Sequence, residues 1–70
     1  MLPPDFDPKS GWVKLRGNQG YLDPAGRIWK LDRLHHDHWD VSDRDGNKVL
    51  EVRFDGSILW PGRKNKNKAP

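Results

Sequence analysis

All three histidines of this chain lie within four positions, and aspartates stand before, between and after them. The cluster consists of His35, His36 and His38 with Asp32, Asp37 and Asp40. An imidazole with a pKa of about 6.5 can donate or accept a proton near neutral pH, and a neighbouring carboxylate can orient and tune it. Imidazole nitrogens and carboxylate oxygens also bind zinc and harder divalent ions. These residue types therefore support acid–base chemistry or metal binding.

Cleavage of RNA without a metal is the acid–base reaction that this set of residues fits best. It needs a base for the proton of a ribose 2′-hydroxyl, an acid that protonates the departing 5′-oxygen, and a cation near the phosphate. His35 or His38 with Asp40 or Glu51 would supply the acid and the base. The candidate cations are Arg53, Arg63 and Lys64.

A metal site is one alternative. His36 and His38 share one side of an extended strand, and a histidine and an aspartate at that spacing can chelate zinc or a harder ion. The chain has no cysteine, however, and no second set of residues with ligand spacing. We therefore expect no metal and no other cofactor, and a metal-dependent nuclease remains the third function considered.

A module that binds nucleic acid or protein without chemistry is the other functional alternative, with tryptophans stacked on bases and basic residues on phosphates. A solvated strand face without any function is the simplest interpretation of such polar residues. The concentration of every histidine in one segment argues against that simplest interpretation.

Turn residues divide the chain from Gly11 onward into short apolar segments, which is typical of β-strands. No window has the apolar spacing of an amphipathic helix. Asp45-Gly46 and Asp55-Gly56 are dipeptides that two-residue type I′ hairpin turns favour. The sequence predicts a mainly β domain with one small, twisted antiparallel sheet of about five strands in meander order. At most one short helical turn is expected, near the N-terminus.

Strand alternation sorts the histidine segment into two faces, because successive side chains point to opposite sides of a sheet. Trp39 and Val41 share one face, and His38 and Asp40 share the other. If Trp39 is buried, His38 and Asp40 are exposed.

The following strand sorts in the same way. Alternation places Glu51 and Arg53 on the face of His38 and Asp40. The other face receives Lys48, Leu50, Val52 and Phe54. One open face is therefore expected to collect histidine, aspartate, glutamate and arginine.

The hydrophobic core must be small, because only 33% of the 70 residues are hydrophobic. Each tryptophan can bury about 150–250 Å². All four are expected to anchor the core: Trp12, Trp29, Trp39 and Trp60. No apolar run reaches the roughly 20 residues of a membrane span, and the start of the chain lacks the pattern of a secretory signal.

The net charge of +3 is unevenly distributed. The last ten residues carry four basic side chains and no acid, so the first sixty have nine basic and ten acidic residues. The basic side chains of this tail are Arg63, Lys64, Lys66 and Lys68. Such a tail favours an anionic partner, and phosphate binding and plain solubilisation are equally consistent with it. We expect a proline-rich linker over 1–10, the domain over 11–62 and the basic tail over 63–70.

Four short motifs in this order resemble the C-terminal toxin domains of bacterial polymorphic toxins. They are Gly20-Tyr21-Leu22-Asp23, Gly26-Arg27-Ile28-Trp29, His38-Trp39-Asp40-Val41 and Phe54-Asp55-Gly56-Ser57-Ile58. The resemblance covers about residues 11–68. Toxins of this kind include nucleases that act on ribosomal RNA, transfer RNA or DNA.

Within that group the chain is similar to the ribosomal-RNase domain of cloacin and the rRNA-cleaving colicins, a compact, twisted antiparallel sheet. That family has an Asp-x-x-His-x-x-x-Glu motif, then a glycine-containing hairpin and a basic tail with a functional arginine. Asp32 and His35 match the first two motif positions, and Arg63 matches the tail cation. Trp39 stands at the glutamate position, so either Asp40 or Glu51 replaces that carboxylate or the active site is rearranged around His38 and Asp40.

The resemblance also implies a biological setting. The domain would be delivered as part of a larger secreted protein and would act as a monomer in the cytoplasm of a target cell. Its partners would be RNA, with the ribosome as the expected target, and a cognate, acidic immunity protein. Electrostatic complementarity would speed the association with that inhibitor. The predicted catalytic residues are Asp32, His35, His38, Asp40 and Glu51, and the predicted substrate-binding residues are Arg53, Arg63, Lys64 and Lys66.

Overall fold

The structure, a computed structural model, describes residues 1–32, 34 and 37–62. These residues form one open antiparallel sheet in which strands that are neighbours in sequence are neighbours in space. The strands are β1 (Val13–Lys14), β2 (Tyr21–Leu22), β3 (Ile28–Leu31), β4 (His38–Ser42), β5 (Lys48–Arg53) and β6 (Ile58–Trp60). A 3₁₀ turn at Pro8–Ser10 precedes them. The predicted mainly β antiparallel meander is confirmed, with a sixth strand because Tyr21–Leu22 pairs between two turns.

Three of the strand connections use the same type of turn. In each of them a glycine N–H donates to the carbonyl oxygen three residues earlier, at 2.9 to 3.1 Å. These loops cover residues 23–27, 43–47 and 53–57. Their glycines, Gly26, Gly46 and Gly56, have φ angles of 86°, 88° and 92°, in the left-handed region that glycine adopts without strain. A three-residue loop with one left-handed glycine replaces the two-residue type I′ turn that the Asp-Gly dipeptides predict.

One face of the sheet carries the core. Its buried residues are Trp12, Trp29, Trp39, Val41 and Val52. The rings meet at an angle, with 5.4 Å between the centroids of Trp12 and Trp29 and 6.4 Å between those of Trp29 and Trp39. Offset and edge-on contacts of this kind add to the stabilisation from burial. Three of the four tryptophans therefore anchor the core as predicted.

Trp60 is the exception. Glu51 pairs with Trp60, whereas Val52 pairs with Ile58, so that Leu59 is an extra residue in β6. This β-bulge moves Trp60 onto the face of Glu51, opposite the core, where it is half-buried. The prediction that Trp60 anchors the core is wrong, because alternation cannot anticipate a bulge.

Part of the N-terminal segment, around Pro3 and Phe6, packs against the core. Pro3 is buried, and its carbonyl accepts a hydrogen bond from the N–H of Phe6 at 3.0 Å. The Phe6 ring centroid lies 5.8 Å from that of Trp12 and 5.3 Å from that of Tyr21. Residues 3–6 thus pack on the core, and the role of residues 1–10 as a linker remains a prediction.

Candidate functional site

The face opposite the core collects polar side chains from neighbouring strands. In the register of β4 and β5, His38 lies opposite Arg53 and Asp40 lies opposite Glu51. Lys30 on β3 lies on the other side of Asp40. The grouping of His38, Asp40, Glu51 and Arg53 on one face agrees with the prediction from strand alternation.

The His38 imidazole lies among three carboxylates. Its Nδ1 is 2.8 Å from Asp37 Oδ1, and its Nε2 is 3.3 Å from Asp40 Oδ1 and 3.7 Å from Glu51 Oε1. The residue is only 8% exposed. The prediction of an exposed His38 is therefore wrong: alternation assigns a side chain to a face, but its depth depends on the groups around it.

The Asp40 carboxylate has one oxygen that lies near two cationic groups without forming a hydrogen bond of good geometry. Its Oδ1 is buried and makes no hydrogen bond of acceptable geometry. Two cationic groups nevertheless lie near this oxygen, His38 Nε2 at 3.3 Å and Lys48 Nζ at 3.4 Å. Because a buried polar atom without a hydrogen bond is uncommon in folded proteins, this oxygen is a candidate proton acceptor.

Lys48 belongs to the site, although the sequence pattern placed it on the core face with Leu50. Val41 pairs with Leu50, but Ser42 pairs with Lys48, so Val49 is an extra residue. The bulge turns Lys48 toward the carboxylates, where its Nζ lies 2.7 Å from Glu51 Oε2. The sequence offers one usable signal, since a lysine ammonium is rarely placed against a hydrophobic core.

Both cationic groups of the cluster are stabilised in their charged forms. Burial disfavours the imidazolium of His38, but the hydrogen bond to Asp37 and the charges of Asp40, Glu51 and Asp32 outweigh burial and raise its pKa above 6.5. The hydrogen bond to Glu51 raises the pKa of Lys48 above 10.5, with Asp40 acting in the same direction. The carboxylates thus favour the ammonium form of Lys48 and the protonated form of the His38 imidazole.

Asp32 joins this site from the end of β3. Its N–H donates to the carbonyl of His38 at 3.0 Å, which extends the pairing of β3 with β4. One ligand atom each from Asp32, His38 and Asp40 lies within 4.8 Å of the others. This group could hold a divalent cation, and it differs from the pair of His36 and His38 considered from the sequence.

Arg53 shares the polar face with this cluster, but its guanidinium is engaged within its own hairpin. Arg53 is exposed, and its Nη1 donates to Ser57 Oγ at 3.3 Å and to the Ile58 carbonyl at 3.2 Å, within its own hairpin. The remaining predicted residues lie outside the described residues: His35, Arg63, Lys64 and Lys66.

Asp23 is a buried charged residue that the sequence indicated only as part of a turn. Its carboxylate accepts hydrogen bonds from the N–H groups of Ala25 at 3.0 Å and Arg27 at 2.8 Å. It also accepts from Arg27 Nε at 2.8 Å and from Trp29 Nε1 at 2.9 Å. An aspartate that begins a turn commonly binds the following amides, which is the signal that identifies this position. Asp23 has a structural role, because its acceptor capacity is engaged.

An open depression of about 470 Å³ lies beside the carboxylate cluster. Its lining residues are Gly46, Asn47, Lys48, Glu51 and Trp60. Lys48 Nζ is 5.9 Å from the centroid of the Trp60 ring, within the range of a cation–π contact. The cluster is therefore next to a space with an aromatic wall.

Comparison of the chain with protein-family models, with curated proteins and with solved structures finds no match. The likeness to bacterial toxin domains stays a prediction from the motifs quoted above. Within the described ranges, no helix has the length and apolar character needed to cross a membrane.

Proposed function

We propose that this chain is a metal-independent endoribonuclease domain in which His38 is the general acid and Asp40 or Glu51 supplies the general base. One observation carries the proposal: the His38 imidazole lies 2.8 to 3.7 Å from carboxylates of Asp37, Asp40 and Glu51, on an open sheet face. Acid and base groups at such distances can act on one phosphodiester.

The role of acid follows from how His38 is held. Asp37 engages Nδ1, which fixes the ring and directs Nε2 toward Asp40 and Glu51. The surrounding carboxylates raise the pKa of His38 and so favour its imidazolium, which is the form that can donate a proton. In RNA cleavage this proton would pass from Nε2 to the departing 5′-oxygen.

The role of base falls to a carboxylate beside that imidazole. Asp40 Oδ1 makes no hydrogen bond, and Glu51 Oε1 lies 3.7 Å from His38 Nε2. One of these oxygens would take the proton of the 2′-hydroxyl as the 2′-oxygen attacks phosphorus and the bond from phosphorus to the 5′-oxygen breaks. The products are a 2′,3′-cyclic phosphate and a free 5′-hydroxyl, with no net consumption of protons.

Lys48 supplies a positive charge next to the proposed reacting groups. Its Nζ lies 2.7 Å from Glu51 and 3.4 Å from Asp40, so it can approach a phosphate placed between these carboxylates. A fixed cation at that point stabilises charge that develops on the phosphoryl oxygens. Arg53 and the basic tail are proposed to attract the RNA from further away, and His35 remains a second acid–base candidate.

The proposal includes the setting that the toxin resemblance suggests. The domain would act on ribosomal RNA, or on another RNA such as transfer RNA, in the cytoplasm of a competing bacterium. A larger delivery protein would carry it, and an acidic immunity protein would inhibit it in the producing cell. The motifs quoted from the sequence support this part of the proposal.

The test is incubation of the purified protein with intact ribosomes, total RNA and duplex DNA, with and without EDTA. We expect RNA to be cleaved in both conditions, to leave 2′,3′-cyclic phosphate ends, and DNA to stay intact because it lacks the 2′-hydroxyl. Products with 3′-hydroxyl ends, or no cleavage of any RNA, would contradict the proposal.

A metal-dependent nuclease is the second candidate, favoured by the group of Asp32, His38 and Asp40. The carboxylates that favour a proton on His38 would also favour a divalent cation, which must displace that proton to bind the nitrogen. Cleavage that EDTA abolishes and Mg²⁺ or Zn²⁺ restores would support this candidate. RNA binding without cleavage would instead support an interaction module.

A further inference from the structure

We infer that the depression beside the carboxylate cluster is a nucleobase subsite, in which one base of single-stranded RNA stacks on Trp60. The inference deepens the proposed function and rests on it for the identity of the substrate. Trp60, Lys48, Glu51 and Asn47 line this space, whose volume of about 470 Å³ is ample for a base.

Strand pairing sets the position of Trp60 relative to Asp40, the proposed general base. Asp40 pairs with Glu51, and Glu51 pairs with Trp60, so the three residues form one row across β4, β5 and β6. Adjacent strands lie about 4.8 Å apart, which places Trp60 roughly 10 Å from Asp40. A nucleotide next to the scissile bond can span that distance.

Trp60 differs from the other tryptophans in a way that core packing does not explain. Trp12, Trp29 and Trp39 are 7%, 6% and 1% exposed and lie together on the core face. Trp60 stays half-buried on the opposite, polar face, because the bulge at Leu59 reverses its direction. Its ring borders an open space that a flat ligand can enter.

The chemistry of the lining suits a nucleobase. Every base has a π face, so stacking on an indole is strong and tolerant of sequence. Around the ring, Glu51 offers acceptors, Lys48 offers donors, and Asn47 offers both. The Lys48 ammonium lies 5.9 Å from the ring centroid, where it can contact a base carbonyl or the adjoining phosphate. A purine covers more of the indole than a pyrimidine does, so purines should bind more tightly.

The first test titrates the full chain with adenosine 5′-monophosphate, uridine 5′-monophosphate and ribose 5-phosphate, and follows the indole N–H signals by NMR. The Trp60→Phe variant identifies the Trp60 signal among the four. We expect adenosine monophosphate to shift this signal most, uridine monophosphate less, and ribose 5-phosphate hardly at all. An equal shift with ribose 5-phosphate, or a response centred on another tryptophan, would overturn the inference.

The second test measures affinity for a single-stranded oligodeoxynucleotide, which lacks the 2′-hydroxyl and so reports binding without cleavage. We expect Trp60→Leu to weaken binding about 10-fold. Trp60→Phe should keep most of the affinity, because it retains an aromatic face. Ile58→Ala is the matched control, since Ile58 lies on the same strand, is 50% exposed and pairs with Val52 on the other face. Wild-type affinity in a folded Trp60→Leu variant would overturn the subsite.

The two proposals fail in different ways. If RNA is not cleaved but adenosine monophosphate still shifts the Trp60 signal, the nuclease proposal falls and the subsite stands. If RNA is cleaved and folded Trp60→Leu has an unchanged KM, the subsite falls and the nuclease proposal stands.

Discussion

Asp23 and His38 are the buried charged or titratable residues of the described part of the chain, and their surroundings are built in opposite ways. The Asp23 carboxylate, in a residue 4% exposed, accepts four hydrogen bonds of 2.8 to 3.0 Å. His38, 8% exposed, has one contact of 2.8 Å with Asp37, while its Nε2 lies 3.3 Å from Asp40 and 3.7 Å from Glu51. The Asp23 carboxylate thus has both oxygens engaged in hydrogen bonds, whereas Asp40 Oδ1 beside His38 makes none.

The pKa shifts of the two residues have different origins. Burial opposes the Asp23 carboxylate, but hydrogen bonds from Trp29 and Arg27 outweigh it and lower its pKa below 3.8. The carboxylates around His38 instead raise the pKa of a group that titrates near neutrality. A saturated carboxylate holds its neighbours in place, while an incompletely bonded group can exchange a proton with a substrate. We therefore assign a structural role to Asp23 and propose a catalytic role for His38.

Removal of the Asp23 carboxylate should have the largest effect. We expect Asp23→Ala to cost about 3–5 kcal/mol, because the Arg27 guanidinium and the buried Trp29 N–H lose their acceptor. A domain of this size is rarely stable by more than about 3–5 kcal/mol, so the variant should be largely unfolded. Urea denaturation followed by circular dichroism measures this loss. Asp43→Ala is the matched control at the same position of the next turn, and a loss as large as that of Asp23→Ala would contradict the contrast.

His38→Gln should lower kcat by about 10² to 10⁴, the range for loss of a general acid. Strand alternation predicted an exposed His38, for which a substitution would cost little stability. Since the residue is buried, we now expect a cost of about 1–3 kcal/mol as well. Single-turnover RNA cleavage and urea denaturation separate the two effects. Lys14→Ala, on the exposed part of β1, should leave both unchanged, and a folded His38→Gln variant with wild-type kcat would exclude His38 as the acid.

A comparison of the Asp40→Asn and Glu51→Gln variants should show which carboxylate is the general base. We expect the substitution that removes the base to lower kcat by about 10² or more, and the other to have a smaller effect. Asp40 is the favoured base, because its Oδ1 makes no hydrogen bond and Glu51 is engaged by Lys48. Cleavage rates at one pH decide between them, and full activity in both variants would remove the carboxylates from the mechanism.

Lys48→Met should lower kcat/KM by about 10-fold to 100-fold, the equivalent of one charge-assisted hydrogen bond. Methionine keeps much of the length and apolar character of the lysine side chain, so the fold should persist. Steady-state kinetics on an oligoribonucleotide measures the effect. Lys30→Met is the control, because Lys30 is also opposite Asp40 on the neighbouring strand. An equal loss in both variants would point to general attraction of RNA.

The smallest expected effects are on the pH dependence of stability, and they have opposite signs. The lowered pKa of Asp23 contributes stability above pH 3.8 that is lost as the pH falls through the folded-state value. The raised pKa of His38 contributes stability below pH 6.5 that is lost as the pH rises through the folded-state value. Urea denaturation of wild type and His38→Gln across this range should show the alkaline loss only in wild type. The same loss in both would contradict the assignment.

The sequence was sufficient to predict the class of fold and the placement of His38, Asp40 and Glu51 on one face of the sheet. Turn residues separated the strands, and alternation placed Asp40 and Glu51 together, as their pairing confirms. These features are local, since each depends on residues a few positions apart.

The sequence could not predict the positions of the β-bulges or how deeply a polar side chain is buried. Extra residues at Val49 and Leu59 reverse the expected faces of Lys48 and Trp60, and alternation contains no information about either insertion. The burial of His38 depends on side chains brought together from two strands. The turn motif indicated that Asp23 binds the following amides, but not that it also accepts a hydrogen bond from Trp29 Nε1 on the adjoining strand.

The most direct test of His38 as the general acid of a metal-independent ribonuclease is the pH dependence of RNA cleavage in the presence of EDTA. We expect metal-free cleavage whose kcat/KM falls on the alkaline side, with an apparent pKa above 6.5. The His38→Gln variant should lose this pH dependence together with most of the rate. Loss of all cleavage in EDTA, or a rate with the same alkaline dependence in His38→Gln, would contradict the assignment of His38 as the acid of a metal-independent ribonuclease.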